Sequence, residues 1–127
     1  MLTILVVDDE KLERKGIRFL LNRRSEEMEI LEAANGKAAC EILQHRTVDI
    51  MLTDIKMPFM DGIELVSVAH KLQSDLQMVI FSGYGEFEYA KKAMASGVSN
   101  YVLKPVDPAE FENTLNLLVE KITERRN

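Results

Sequence analysis

Ile50, Met51 and Leu52 form an apolar run without polar alternation, and the run stops at Asp54. A strand with no polar face is one covered on both sides, and such strands belong to parallel sheets whose crossover helices pack above and below. Ligands in open α/β sheets gather outside the carboxyl ends of the strands, so a carboxylate at this end stands where chemistry is done. Whatever else the chain forms must supply the neighbouring strands and the helices that cover them.

The flanking sequence meets that requirement. Thr3 to Val7 is apolar and β-branched and ends at Asp8, Asp9 and Glu10, after which Leu12, Gly16, Ile17, Leu20 and Leu21 recur at helical spacing. Met28 to Ala33 predicts a weaker strand, and Glu29 and Glu32 within it suit a sheet edge. Asn35 and Gly36 are predicted to turn the chain into a second helix with Ala38, Ala39, Ile42 and Leu43 on one face. Asp61 and Gly62 precede a third helix through Val66, Ala69 and Leu72, and Met78 to Phe81 predicts a fourth strand ending at Ser82 and Gly83. A fourth helix is predicted to start near Glu86 and carry Phe87, Ala90 and Met94 before Gly97 ends it. Asn100 to Leu103 predicts the fifth strand, and Phe111, Leu115, Leu118 and Ile122 mark a last helix after Lys104 and Pro105. Five strands alternating with five helices predict a doubly wound (βα)5 parallel α/β sheet with helices on both faces, a single domain over residues 1–127.

Several classes of function are disfavoured by composition. No apolar run approaches the roughly 18 residues of a membrane span, and the start on a strand gives no sign of a signal peptide, so a cytoplasmic location without membrane contact is expected. A net charge of −5 argues against this domain gripping nucleic acid directly. Cys40 has no partner cysteine and reads as a small core hydrophobe. His45 and His70 fall on different predicted helices without an acid at ligand spacing and read as solvated surface residues.

Asp8, Asp9, Asp54, Ser82 and Lys104 all fall at strand ends. Singly each is an ordinary surface residue, but together they have a chemical meaning. Three carboxylates in one crevice repel one another and favour a hard cation. Magnesium suits them, since it keeps several waters and needs one or two carboxylates plus phosphate oxygens, here from Asp9, Asp54 and, through water, Asp8. A carboxylate such as Asp54 accepts a phosphoryl group as a mixed anhydride. The metal, the Lys104 ammonium and the Ser82 hydroxyl would balance charge on the phosphoryl oxygens.

The order and spacing of Asp8-Asp9, Asp54, Met57-Pro58, Asp61-Gly62, Ser82-Gly83, Tyr101 and Lys104-Pro105 resemble the receiver domains of bacterial two-component response regulators, over nearly the whole chain. The resemblance implies a flavodoxin-like strand order 2-1-3-4-5 and a phosphoryl group taken by Asp54 from a phosphohistidine on a sensor histidine kinase. It implies metal ligation by Asp8, Asp9, Asp54 and the backbone carbonyl of Lys56, and a cis bond before Pro105. It places a switch pair at Ser82 and Tyr101, whose coupled movement remodels the face of the fourth helix, fifth strand and fifth helix, with Lys91, Lys92 and Leu117 as further contributors. A homodimer on phosphorylation is expected there. The segment from Ser82 to Ala93 further resembles receivers that precede AraC-type helix-turn-helix output domains, so the chain is expected to be the N-terminal part of a longer transcription regulator. It is expected to be a phospho-accepting switch that assists its own loading and unloading, not an enzyme with a separate substrate. Lys56 and Tyr84, flanking the acceptor and the switch hydroxyl, are expected to shield the phosphorylated state from water, with Gly83 leaving the entrance open.

Three other readings compete for these residues. A free-standing receiver that signals by docking differs only in having no output domain joined after Asn127. A phosphatase of the haloacid dehalogenase type uses an aspartate nucleophile with magnesium but needs an acid two residues later, where this chain has Lys56. A flavin site needs phosphate donors after the first strand, where Asp8, Asp9 and Glu10 repel.

Overall fold

The computed structural model describes residues 1–83, 85, 86, 88, 91, 92, 95, 98 and 100–126. Its elements run in order as β1 (Leu2–Val7), α1 (Lys11–Asn22), β2 (Met28–Ala33), α2 (Gly36–His45), β3 (Ile50–Asp54), α3 (Gly62–Leu72), β4 (Gln77–Ser82), β5 (Asn100–Leu103) and the C-terminal helix α4 (Pro108–Arg126). The five strands are parallel in the order β2-β1-β3-β4-β5. Most of the fourth predicted helix, including Phe87, Ala90, Met94 and Gly97, lies outside the described residues, as does Tyr84.

Side-chain alternation along the strands splits the core into two layers. Leu5, Val7, Met51, Met78 and Ile80 face α2 and α3, whose Ala39, Leu43, Leu65, Val66 and Ala69 cover them. Ile4, Val6, Leu52, Val79 and Phe81 face α1 and α4. On α4, Phe111, Leu115, Leu118 and Ile122 are buried at helical spacing, each such side chain contributing about 2 kcal/mol through burial. β3 and β4 are buried along their whole length, as their unbroken apolar runs require, and β2 at the edge is only partly covered. Cys40 is half-buried and packs against the α2–α3 layer.

One local reading is corrected. Leu12 is 80% exposed. The inward stripe of α1 runs through Ile17, Leu20 and Leu21, and Leu12, nine residues before Leu21, lies on the opposite side at about 100° per residue. Asn35 and Gly36 lead into the second helix as their turn signal predicts. Asn35 caps α2, its Oδ1 accepting the Ala38 N–H at 2.8 Å, and Gly36 is the first helical residue.

Polar ties close the end of the sheet away from Asp54. The Asp49 carboxylate accepts the Thr3 N–H at 2.8 Å and pairs with Arg126. The Gln73 amide donates to the Leu43 and Arg46 carbonyls and accepts from the Val48 N–H. No described helix is long and apolar enough to cross a membrane.

Candidate functional site

Strand register brings the acidic residues together. Val7 pairs with Thr53, so Asp8 and Asp54 stand side by side one residue further on, in the crevice where the strand order reverses between β1 and β3. Both are buried and Asp9 is exposed. One carboxylate oxygen from each of the three lies within 4.8 Å of the others. On the other side, β4 and β5 end at paired Ser82 and Leu103. The Lys104 N–H donates to the Ser82 carbonyl at 2.8 Å, and its ammonium reaches across to Asp54 Oδ1 at 2.8 Å. The Lys104–Pro105 peptide bond is cis.

The charges do not balance. Burial above all pushes the Asp8 carboxyl up to about 6; Asp54 and Asp9 add to this, and the Glu10 N–H at 2.9 Å and Lys104 oppose it. Burial is also the main cause raising Asp54, and the Glu86 charge adds. Lys104 and the Ile55 N–H, 3.0 Å from Asp54 Oδ1, offset only part. Burial pulls Lys104 down, but its hydrogen bond to Asp54 and the charges of Asp54, Asp8 and Glu13 outweigh this and hold it above the ordinary lysine range. Three carboxylates thus face one ammonium. The donor set is all oxygen and in excess negative charge, which fits a hard divalent cation such as Mg2+.

Further residues position this group; Asp61 and Gly62 are among those that carry the resemblance, whereas Arg14 and Thr53 have no sequence signal that singles them out. Gly62 follows Asp61, whose carboxylate caps α3 by accepting the Glu64 N–H at 2.9 Å. A Cβ on Gly62 would lie 2.5 Å from the Asp54 carbonyl oxygen, and the Gly62 N–H donates to the Ile55 carbonyl at 2.7 Å. The start of α3 is thereby pressed against the end of β3. Arg14 donates to the Asp8 carbonyl at 2.6 Å and pairs with Glu32, tying α1 and β2 to the acidic loop. The Thr53 hydroxyl, fully buried, donates to the Asp54 carbonyl at 3.0 Å.

Among the described residues, Ser82 Oγ and Glu86 Oε2 are buried without a hydrogen-bond partner. Ile80 pairs with Tyr101, and both pack in the α2–α3 layer. Ser82, two residues beyond Ile80, shares that face by strand alternation. Tyr101 is half-buried and Lys56 is exposed in the loop after β3. Glu86 was not among the site residues drawn from sequence. Its carboxylate accepts the Gly83 N–H at 2.6 Å, and a Cβ on Gly83 would meet Glu86 Oε1 at 2.8 Å, so the space beside Gly83 is filled rather than open.

Fold and site together define a receiver domain: residues 4–116 match the response regulator receiver domain family, and the chain belongs to it. Among its relatives, the transcriptional regulatory protein YesN of Bacillus subtilis (strain 168) is 36% identical over 96% of this chain and 33% of its own length. The transcriptional regulatory protein HptR of Staphylococcus aureus (strain NCTC 8325 / PS 47) is 32% identical over 100% of this chain and 50% of its own. The chain therefore spans a third to a half of these relatives. Among solved structures, a two component transcriptional regulator AraC from Clostridium phytofermentans ISDg matches with a TM-score of 0.88 at 37% identity, covering 99% of this chain and 98% of that one. The REC domain of AraT, a response regulator from Geobacillus stearothermophilus, matches with a TM-score of 0.86 at 34% identity, covering 99% and 98%.

Proposed function

We propose that this receiver is loaded on Asp54 by a phosphohistidine of a sensor histidine kinase and that loading controls a DNA-binding output domain, of the helix-turn-helix class, in a longer cytoplasmic transcription regulator. The observation that carries this reading is the Lys104 ammonium seated 2.8 Å from Asp54 Oδ1 beside two further carboxylates. In the transfer, an Asp54 oxygen forms a bond to phosphorus as the bond from phosphorus to the donor nitrogen breaks, and the bonding pair leaves with the imidazole. Lys104 then exchanges its carboxylate partner for a phosphoryl oxygen, and Ser82, whose hydroxyl has no partner among the described residues, donates to another. Asp8, Asp9, Asp54 and the Lys56 carbonyl would hold Mg2+, which when bound would supply positive charge for the transferred group.

Movement of Ser82 toward the phosphoryl group vacates space on the face it shares with Tyr101. The ring turns into that space, and the surface formed by β5 and α4 with Lys91, Lys92 and Leu117 changes shape to favour a homodimer. Intact mass after incubation with acetyl phosphate and Mg2+ tests the assignment. One phosphoryl group is expected on the wild type and none on Asp54→Asn, and uptake by that variant would overturn it.

A further inference from the structure

Glu86 folds back on the residue that follows the switch hydroxyl. Its own N–H donates to the Gly83 carbonyl at 3.2 Å, and its Oε1 accepts the Gly83 N–H at 2.6 Å. A Cβ on Gly83 would lie 2.8 Å from that oxygen and would push the Glu86 carboxylate aside. The other carboxylate oxygen is buried and unpartnered, as is the neighbouring Ser82 hydroxyl, among the described residues. Burying a carboxylate oxygen unpaired is costly, and this one lies close enough to Asp54 for its charge to act on that carboxyl. A phosphoryl group on Asp54 presents the same kind of anionic oxygen to the same end of β4, and one N–H cannot serve both anions.

We propose that Glu86 is an internal competitor for the phosphoryl group. Its carboxylate holds the Gly83 amide beside Ser82 and must be displaced before that amide can serve a phosphoryl oxygen. Glu86 therefore slows the loading of Asp54, and loading expels Glu86 by like-charge repulsion. The inference rests on the phospho-acceptor reading above.

Glu86→Gln keeps an oxygen acceptor for the Gly83 N–H but removes the charge, and a neutral hydrogen bond is about half as strong as a charge-assisted one. Glu86→Ala removes both. With acetyl phosphate and Mg2+, followed by intact mass, both variants should load roughly three to ten times faster than the wild type. Beryllofluoride titrated by calorimetry should bind both more tightly by a similar factor, which a merely structural role would not produce. Glu88→Gln, a change at an exposed acid nearby, should leave both readouts unchanged. If the wild type loads but the folded Glu86 variants, checked by far-UV circular dichroism, load no faster, the competitor role is wrong and the acceptor reading stands. An equal gain from Glu88→Gln would assign the effect to general charge and overturn the specific contact. A wild type that takes up no phosphoryl group removes the acceptor reading and this inference with it.

Discussion

Asp8 should make the metal-free protein more stable in mild acid than at neutral pH. Its carboxyl has an ordinary value of 3.8 and is raised to about 6 in the folded chain, chiefly by burial. In the unfolded chain the group ionises freely near 3.8, so between 6 and 3.8 the native state holds a proton that the unfolded state has lost. Stability then rises as pH falls through 6 and levels off below 3.8, the reverse of a salt-bridged acid. The ceiling of the effect is the shift times ~1.4 kcal/mol per unit, about 3 kcal/mol. Only about one unit of the shift is crossed between pH 6 and pH 5, worth ~1.4 kcal/mol at most, and access of solvent at the crevice mouth reduces it, so a gain of about 0.5–1 kcal/mol between pH 7.5 and 5 is expected from Asp8 in chelator. Asp54, also raised, acts in the same direction. Glu26 is lowered mainly by its hydrogen bond to Arg24, and Glu32, though burial opposes, by its bonds to Arg18 and Arg14; both act the other way, but only below the ordinary glutamate value of 4.5. Urea unfolding followed by circular dichroism, a signal that needs no tryptophan, measures the slope. Asp8→Asn keeps an acceptor for the Glu10 N–H, so it should flatten the pH dependence and be the more stable protein at pH 7.5 in chelator. A wild type equally stable at pH 5 and 7.5, or an Asp8→Asn protein weaker than the wild type at pH 7.5 in chelator, would refute the crowded acidic site.

Phe59 has φ of 70° with its side chain fully exposed, in a tight turn closed by the Met60 N–H on the Pro58 carbonyl. Phe59→Gly should raise stability by about 0.5–1 kcal/mol, the left-handed penalty less the entropy cost of glycine; a loss on urea titration would show that the ring is held by packing. Gly62→Ala should cost about 1–3 kcal/mol, because the new methyl meets the Asp54 carbonyl oxygen at 2.5 Å and only backbone can yield. It should also slow phosphoryl uptake, and an unchanged midpoint with unchanged uptake would show that α3 is free to move off β3. Lys56→Asn with Tyr84→Glu should shorten the phosphorylated lifetime about tenfold, since an amide and an acid offer acceptors that can orient an attacking water where a lysine offers only donors and a tyrosine mainly bulk. Phosphate release after donor removal measures this, and an unchanged lifetime removes the shielding role.

Much of this protein was legible without coordinates because its periodicities are strong. The unbroken runs of β3 and β4 and the stripe Phe111, Leu115, Leu118 and Ile122 on α4 each allow one burial pattern, and βα alternation with right-handed crossovers leaves few topologies. The strand-end residues Asp8, Asp54, Ser82 and Lys104 could be named from sequence because the end of an apolar run is a local feature. What brings Lys104 to 2.8 Å from Asp54 is not local: it requires β3, β4 and β5 in register, so that side chains fifty residues apart in sequence share one crevice. The exposure of Leu12 is not legible in sequence because Leu12, Ile17, Leu20 and Leu21 at helical spacing do not say on which side of α1 the sheet lies. The Asp8 shift follows from desolvation, which depends on every neighbour at once and on no sequence interval. Glu86 was invisible for the same reason. A glutamate after a glycine is a surface residue in most chains, and only the fold of this loop brings its carboxylate onto the Gly83 amide next to a hydroxyl that has no partner among the described residues.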